Sequence, residues 1–246
     1  MKKHILDLLA AVGGKLVLPR CSVVLVAAGN ATRMGGIDKI MAELNGKPMI
    51  LRTAEAFQQS PAVQELVVVT RADLREPVET LLREAGVDKL SAVIVGGSTR
   101  TESVQKGVAW CNKKSRLIAV HDGARPLVTQ AVIEAAVAEA AKSGAAVPAL
   151  PVRDTIRVVE QGVGVSTPDR SMLYAMQTPQ VFEADLLRAA LQDAVRRGRS
   201  LTDDCAAVEA IGMRVRIVPG DEENLKVTTR LDLALANALA RRRDAE

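Results

Sequence analysis

Aromatic side chains are almost missing from this chain: Phe57, Trp110, Tyr174 and Phe182 are the only ones in 246 residues. Binding single-stranded nucleic acid needs several aromatic platforms along a basic groove, so that class of ligand is excluded. Net charge points the same way, since +4 with cations spread along the chain suits small anions better than a nucleic-acid surface. Cysteine is scarce as well. Cys21, Cys111 and Cys205 are odd in number and far apart, which excludes a disulfide framework and C-x-x-C zinc spacing and fits buried thiols in a reducing cytoplasm. Histidine occurs only at His4 and His121, neither in a Ser/His/Asp nor in a metal-ligand pattern. Long hydrophobic runs are missing too, so no membrane span is expected. Lys2 and Lys3 precede an apolar stretch from Ile5 to Val12, but Asp7 interrupts it and Gly13-Gly14-Lys15 follows without a small-residue cleavage site. Residues 1–20 therefore read as an amphipathic extension rather than a signal peptide. The expectation is a cytoplasmic protein with no nucleic-acid or membrane partner.

What is present is Ala, Val and Leu, which supply most of a 48% hydrophobic content, and a stretch around which the rest is organised. Val23 to Val26 is a β-branched apolar run, the pattern of a buried parallel strand. Ala27, Ala28 and Gly29 then keep the backbone free of bulk, and Gly35 and Gly36 make a later bend cheap. Arg33 and Lys39 are the cations of this loop. Two fixed positive charges on a small-residue loop after a buried strand suit a polyanion such as a nucleoside triphosphate. The plainer alternative is an ordinary βα turn with two solvated cations. A dinucleotide fingerprint fails, because Ala31 stands two residues after Gly29 where G-x-G-x-x-G needs glycine. A P-loop fails as well, because Pro48 follows Gly46-Lys47 and Met41 stands five positions before Gly46.

Strand and helix patterns alternate along the chain. Helices are expected over Pro48 to Phe57, Asp73 to Ala85, Thr101 to Cys111, Thr129 to Lys142, Glu183 to Arg197, from a cap within Leu201-Thr202-Asp203-Asp204 to Ile211, and over Leu231 to Leu239. Strands are expected at Leu66–Val69, Ala92–Val95, Leu117–Val120 and Val215–Val218, with a further one before Pro151. That rhythm implies a Rossmann-like α/β domain over residues 21–246, a mainly parallel sheet with helices on both faces, and ligands beyond the carboxyl ends of the strands. From about 152 to 170 the pattern changes to β-branched residues around Gln161-Gly162, a protruding β-hairpin arm. Three constellations fall at strand ends: Gly96-Gly97-Ser98-Thr99-Arg100-Thr101-Glu102-Ser103, His121-Asp122-Gly123-Ala124-Arg125-Pro126, and Pro151-Val152-Arg153-Asp154-Thr155. Each alone is also a capped loop, with Thr101 as N-cap and Asp122 and Gly123 as turn residues. At successive ends of one sheet they converge on one crevice.

These segments, with Asp169-Arg170, Thr178-Pro179-Gln180, Thr202-Asp203-Asp204 and Asn224-Leu225-Lys226-Val227-Thr228, stand in an order that resembles the 2-C-methyl-D-erythritol 4-phosphate cytidylyltransferase family. The loop Ala27-Ala28-Gly29-Asn30-Ala31-Thr32-Arg33-Met34 with Lys39 is similar to the nucleotidyltransferase signature. Departures from the family pattern are Ala31 for Gly or Ser, Ile40-Met41 after Lys39, and Ser98 for Asp. The resemblance implies that Arg33 and Lys39 hold the CTP triphosphate and neutralise charge at the α-phosphate. It places Ala27, Ala28, Gly29, Gly97 and Ser103 around the nucleotide and Asp122 by the ribose. Arg125, Thr155, Arg170 and Lys226 would face a sugar-alcohol phosphate. It further implies a homodimer joined through the arm, which would put Arg170 beside the partner's nucleotide loop, and Mg2+ held mainly by CTP phosphates with no metal-ligating side chains of its own.

The chemistry is consistent without the family name. Nucleotidyl transfer depends on positioning and electrostatic stabilisation, and a phosphate monoester with a second pKa of about 6 is already an ionised nucleophile at neutral pH. No general base is needed, so His121 reads as a strand-end structural residue. Alternatives remain: a ribitol-phosphate cytidylyltransferase, a molybdenum-cofactor guanylyltransferase, or, in other classes, a nucleotide-dependent oxidoreductase or a non-catalytic nucleotide-binding module.

Overall fold

The computed structural model describes residues 19–29, 39–199 and 201–245. The expectations for the extension before Pro19, and for Ala31, Arg33, Met34, Gly35 and Gly36, lie outside those residues. Strand β1 (Cys21–Ala27) is followed by a short ribbon, β2 (Glu43–Leu44) and β3 (Lys47–Pro48), whose Asn45-Gly46 turn takes φ of 48° and 75°. Next come α1 (Met49–Gln59), β4 (Val63–Thr70), a 3-10 turn at Ala72–Leu74 running into α2 (Arg75–Glu84), and β5 (Leu90–Val95). Then α3 (Arg100–Trp110), β6 (Leu117–Asp122), α4 (Gln130–Ser143) and β7 (Ala145–Pro151) follow. The arm is β8 (Val158–Glu160) and β9 (Val163–Ser166). After a 3-10 turn at Arg170–Met172, β10 (Tyr174–Met176), β11 (Gln180–Glu183), α5 (Ala184–Arg196), α6 (Asp204–Glu209), β12 (Arg216–Pro219) and α7 (Arg230–Ala245) complete the order.

The sheet is built on β1 because its residues are apolar on both faces. Val23 and Leu25 enter one core with Phe57, Leu66, Val68 and Ile133, while Val24 enters the other with Val67, Val69, Val108 and Phe182. Period-2 alternation between two buried faces is what a strand covered by helices on each side requires. β1 pairs in parallel with β4 and β6, and β4 with β5. α3 presses closely on this sheet at Gly107, where an added Cβ would stand 2.4 Å from Val24 Cγ1 and 2.8 Å from Val69 Cγ2. Only glycine lets the helix come that near.

The parallel order breaks on the far side of β6. β11 pairs antiparallel with both β6 and β7, β10 continues antiparallel along β7, and β12 pairs parallel with β7. The expected alternation missed β10 and β11, which are three and four residues long and separated by Gln177, Thr178 and Pro179. So short a pair of segments carries too little periodicity to read.

Smaller corrections have local causes. The N-cap of α3 is Thr99, whose hydroxyl accepts from Glu102 N–H at 3.1 Å, and Thr101 lies inside the helix. α6 is capped by Asp203, which accepts from Ala206 N–H, and ends at Glu209 rather than Ile211. α7 runs past Leu239 to Ala245, held by Arg52, which donates to Asp244 at 2.5 and 3.0 Å. α4 stops at Gly144, φ +88°, the left-handed cap that glycine makes cheap.

Candidate active site

The ends of β1, β5 and β6 open into a cavity of about 280 Å3. Ala27, Ala28, Gly29, Lys39, Gly97, Ser103, Asp122 and Lys226 all line it, so most of the expected site residues meet in one place. One wall is small residues and backbone. Gly97 N–H donates to Ser103 Oγ at 3.0 Å, and Ser103 Oγ donates to Thr99 O at 2.9 Å. Ser98 donates twice to Glu102 Oε2, from N–H at 2.8 Å and from the hydroxyl at 2.7 Å, which holds that carboxyl below its ordinary pKa. The loop cannot take side chains at its centre. A Cβ on Gly96 would lie 2.8 Å from Ala28 Cβ, and one on Gly97 would lie 2.4 Å from Glu102 Cβ. This wall is pinned by its own hydrogen bonds.

The opposite wall carries charge. Lys226 Nζ lies 2.9 Å from Asp122 Oδ2, and Arg125 Nε lies 3.5 Å from the same oxygen. Burial pushes the Asp122 carboxyl up, but Lys226, Arg100 and Arg125 together outweigh it and hold it below the ordinary carboxylate range. Arg125 is itself drawn inward, donating to Asn224 O at 2.6 Å. It stiffens the wall from behind and is not among the lining residues.

His121 is fully buried, edge-on to Phe57 with ring centroids 4.7 Å apart. Its Nε2 lies 3.1 Å from Arg125 O, a carbonyl that can only accept, so this nitrogen carries the proton. Nδ1 then accepts from Thr178 Oγ1 at 3.0 Å, and that hydroxyl in turn accepts from Asp122 N–H at 3.1 Å. Burial pushes the imidazole pKa down to about 4, so the ring is neutral at pH 7. It touches Asp122 and Arg125 through this chain of bonds rather than facing the cavity.

Two expected residues stand elsewhere. Thr155 is exposed on the arm, and Arg170 Nη1 donates to Arg153 O at 2.7 Å while Arg153 ion-pairs with Glu222. Neither lines the cavity of its own chain. The arm's Ile156, Val158, Val159, Val163 and Val165 are all exposed. Arg33 lies outside the described residues.

Sequence reasoning gave no site role to Arg100 and Asp204. Arg100 lines the cavity and donates to Asp204 Oδ2 at 2.7 Å; burial raises that carboxyl more than the guanidinium lowers it. The signals were there, in G-G-x-x-R and T-D-D, but nothing in spacing joins them. The three cysteines are free and buried, and burial pushes the Cys21 and Cys111 thiols up to about 12, which leaves them unreactive. No group of three or more His, Cys, Asp or Glu suited to a metal ion occurs among the described residues, and no helix there is long and apolar enough to cross a membrane.

Known proteins resemble this chain over most of its length. Residues 21–242 match a family model described as 2-C-methyl-D-erythritol 4-phosphate cytidylyltransferase. A protein of that name from Desulforamulus reducens is 40% identical over 224 residues, covering 90% of this chain and 96% of the relative. One from Symbiobacterium thermophilum is 42% identical over 228 residues, covering 92% and 94%. The crystal structure of the protein of that name from Thermus thermophilus superposes with a TM-score of 0.76 at 33% identity, covering 89% of this chain and 98% of that one. A 4-diphosphocytidyl-2C-methyl-D-erythritol synthase from Anaerococcus prevotii superposes with a TM-score of 0.82, covering 93% and 100%. At 24% identity that likeness speaks for the fold alone.

Proposed function

The chain belongs to the 2-C-methyl-D-erythritol 4-phosphate cytidylyltransferase family, and from that premise we propose how its crevice transfers the cytidylyl group of CTP to 2-C-methyl-D-erythritol 4-phosphate. The products are pyrophosphate and 4-diphosphocytidyl-2-C-methyl-D-erythritol, an intermediate of the non-mevalonate isoprenoid pathway. The carrying observation is the opposition across one cavity of a small-residue wall with Lys39 and a charged wall with Asp122 and Lys226.

The backbone of Ala27 to Gly29 and of Gly97 would take the base and ribose, where side chains are excluded by contact. Lys39, with Arg33 of the same loop, would hold the triphosphate and offset charge that grows on the α-phosphate and on the leaving pyrophosphate. Lys226 would exchange its Asp122 partner for the acceptor phosphate. A phosphate oxygen of the acceptor forms the new bond to the α-phosphorus as the bond from that phosphorus to the β-bridging oxygen breaks. The nucleophile is already ionised, so His121 need not move a proton. Magnesium supplies charge neutralisation at the phosphates when bound. Asp122, already engaged with Lys226, is the one carboxylate among the described lining residues, so the triphosphate oxygens would be its main ligands.

The reading extends to a cytoplasmic homodimer whose arms cover one another. A two-stranded hairpin with exposed valines is marginal by itself in water, and a symmetric partner is the commonest way to cover it. Arg170 and Thr155 would then complete the partner's acceptor site. Re-associated dimers of Lys39→Ala and Arg170→Ala chains should regain up to about a quarter of wild-type activity, because half of the random pairs hold one intact site. No gain despite verified exchange removes the shared site. The reaction itself is tested by pyrophosphate release from CTP, GTP and ATP with each candidate acceptor; equal turnover with GTP, or with ribitol phosphate, would favour the neighbouring activities instead.

A further inference from the structure

The segment that carries Lys226, from Gly220 to Val227, has no helix or strand of its own. What fixes it is a set of buried amides. Asn224 is fully buried, and its Nδ2 donates to Thr178 O at 2.9 Å and to Gln177 Oε1 at 3.3 Å. Its main chain is held on both sides, the N–H donating to Asp221 O at 3.0 Å and the carbonyl accepting from Arg125 Nη1 at 2.6 Å. Gln177 grips the same segment again: Nε2 donates to Asp221 O at 2.8 Å, and Oε1 accepts from Asp221 N–H at 3.2 Å. The fit is close, since a Cβ on Gly220 would stand 2.6 Å from Gln177 Oε1.

We propose that Asn224 and Gln177 form an amide latch that positions Lys226 and Arg125, and so set how the acceptor phosphate is held while leaving the nucleotide wall untouched. The proposal rests on the reading that Lys226 faces the acceptor. A lysine on an irregular tether loses much of its reach advantage unless the tether is fixed, and misplacing a binding group by about 1 Å costs up to about a hundredfold. The small-residue part of the nucleotide side is insulated because its bonds, among Gly97, Ser98, Thr99, Glu102 and Ser103, share no partner with the latch, whereas Asp122 meets it through Thr178. The latch side chains do not line the cavity; they act through Lys226 and Arg125.

The test uses Asn224→Leu and Gln177→Met, which keep the length and outline of each side chain and remove the amides, assayed with the full chain beside Lys226→Met. Each latch variant should raise the acceptor KM about tenfold or more, with the CTP KM within about twofold. The double variant should lose less than the product of the two, because both open one latch. Equal rises in both KM values, unchanged KM values, or failure of both variants to fold would overturn the latch, leaving the amides as supports of the fold. If Lys226→Met leaves the acceptor KM unchanged, the acceptor reading itself falls, whatever the latch variants do.

Discussion

The two walls of the crevice solve the same problem, rigidity around a charged ligand, with opposite materials. The proposed nucleotide wall, from Ala27 to Gly29 and Gly96 to Ser103, is mostly backbone and small side chains, and the bonds among Gly97, Ser98, Thr99, Glu102 and Ser103 that shape its loop are local, while Arg100 reaches out to Asp204. The charged wall gathers His121, Asp122 and Arg125, Gln177 and Thr178, and Asn224 and Lys226 from three distant segments, joined by buried bonds such as Thr178 to Asn224 and Arg125 to Asn224. On the proposed reading, a flat base with donors and acceptors on its edge would be read by main chain at close range. A mobile, doubly charged phosphate needs cations on long side chains, and those must be braced from behind.

Breaking this comparison should hurt most where charge meets the reacting phosphorus. Lys39→Ala and Arg33→Ala should each lower kcat by roughly two to three orders of magnitude, the usual loss for a transition-state charge partner. A rapid-quench assay on folded variants checks it, and wild-type turnover in either removes the triphosphate assignment.

The charged wall also contains a buried imidazole, His121, and its effect should appear in stability rather than rate. The native pKa of His121 is about 4 against an ordinary value of 6.5. A depressed basic group contributes stability fully above 6.5, and that contribution is lost as pH falls from 6.5 through 4, because the unfolded chain takes the proton first. The size is about 3 kcal/mol, and unfolding of wild type against a His121→Gln variant between about pH 7 and about pH 4 measures it. Equal pH slopes would mean the ring is not held neutral.

The smallest effect is expected outside both walls. Lys47 and Glu55 form an exposed ion pair at 3.0 Å, and Lys47→Ala should change unfolding free energy by less than about 1 kcal/mol and neither KM. A larger effect on activity would show that the β2–β3 ribbon belongs to the site.

The walls also differ in how far they could be read beforehand. The small-residue wall was legible as a lining of the crevice because its parts are contiguous: a β-branched strand followed by Ala27-Ala28-Gly29, and a glycine pair ahead of a capped helix. On the charged wall single residues were legible, Asp122 and Lys226 among them, but their bracing was not. Asn224 meets Thr178 across 46 positions, and behind the other wall Arg100 meets Asp204 across 104; no local pattern encodes such pairs. The parallel half of the sheet was legible from continuous apolar runs, whereas β10 and β11 were hidden by their length and by the Thr178-Pro179 break between them. The roles proposed for Thr155 and Arg170 would depend on a second chain and could be read from neither wall alone.

The division of labour itself is tested most directly by measuring both KM values for Gly97→Ala and Lys226→Met in one pyrophosphate-release assay. The Cβ added at Gly97 meets Glu102 Cβ at 2.4 Å, so that variant should raise the CTP KM about tenfold or more with the acceptor KM little changed. Lys226→Met should do the reverse. If each variant instead raised both KM values by the same factor, the crevice would be a single undivided site and the two-wall account would be wrong.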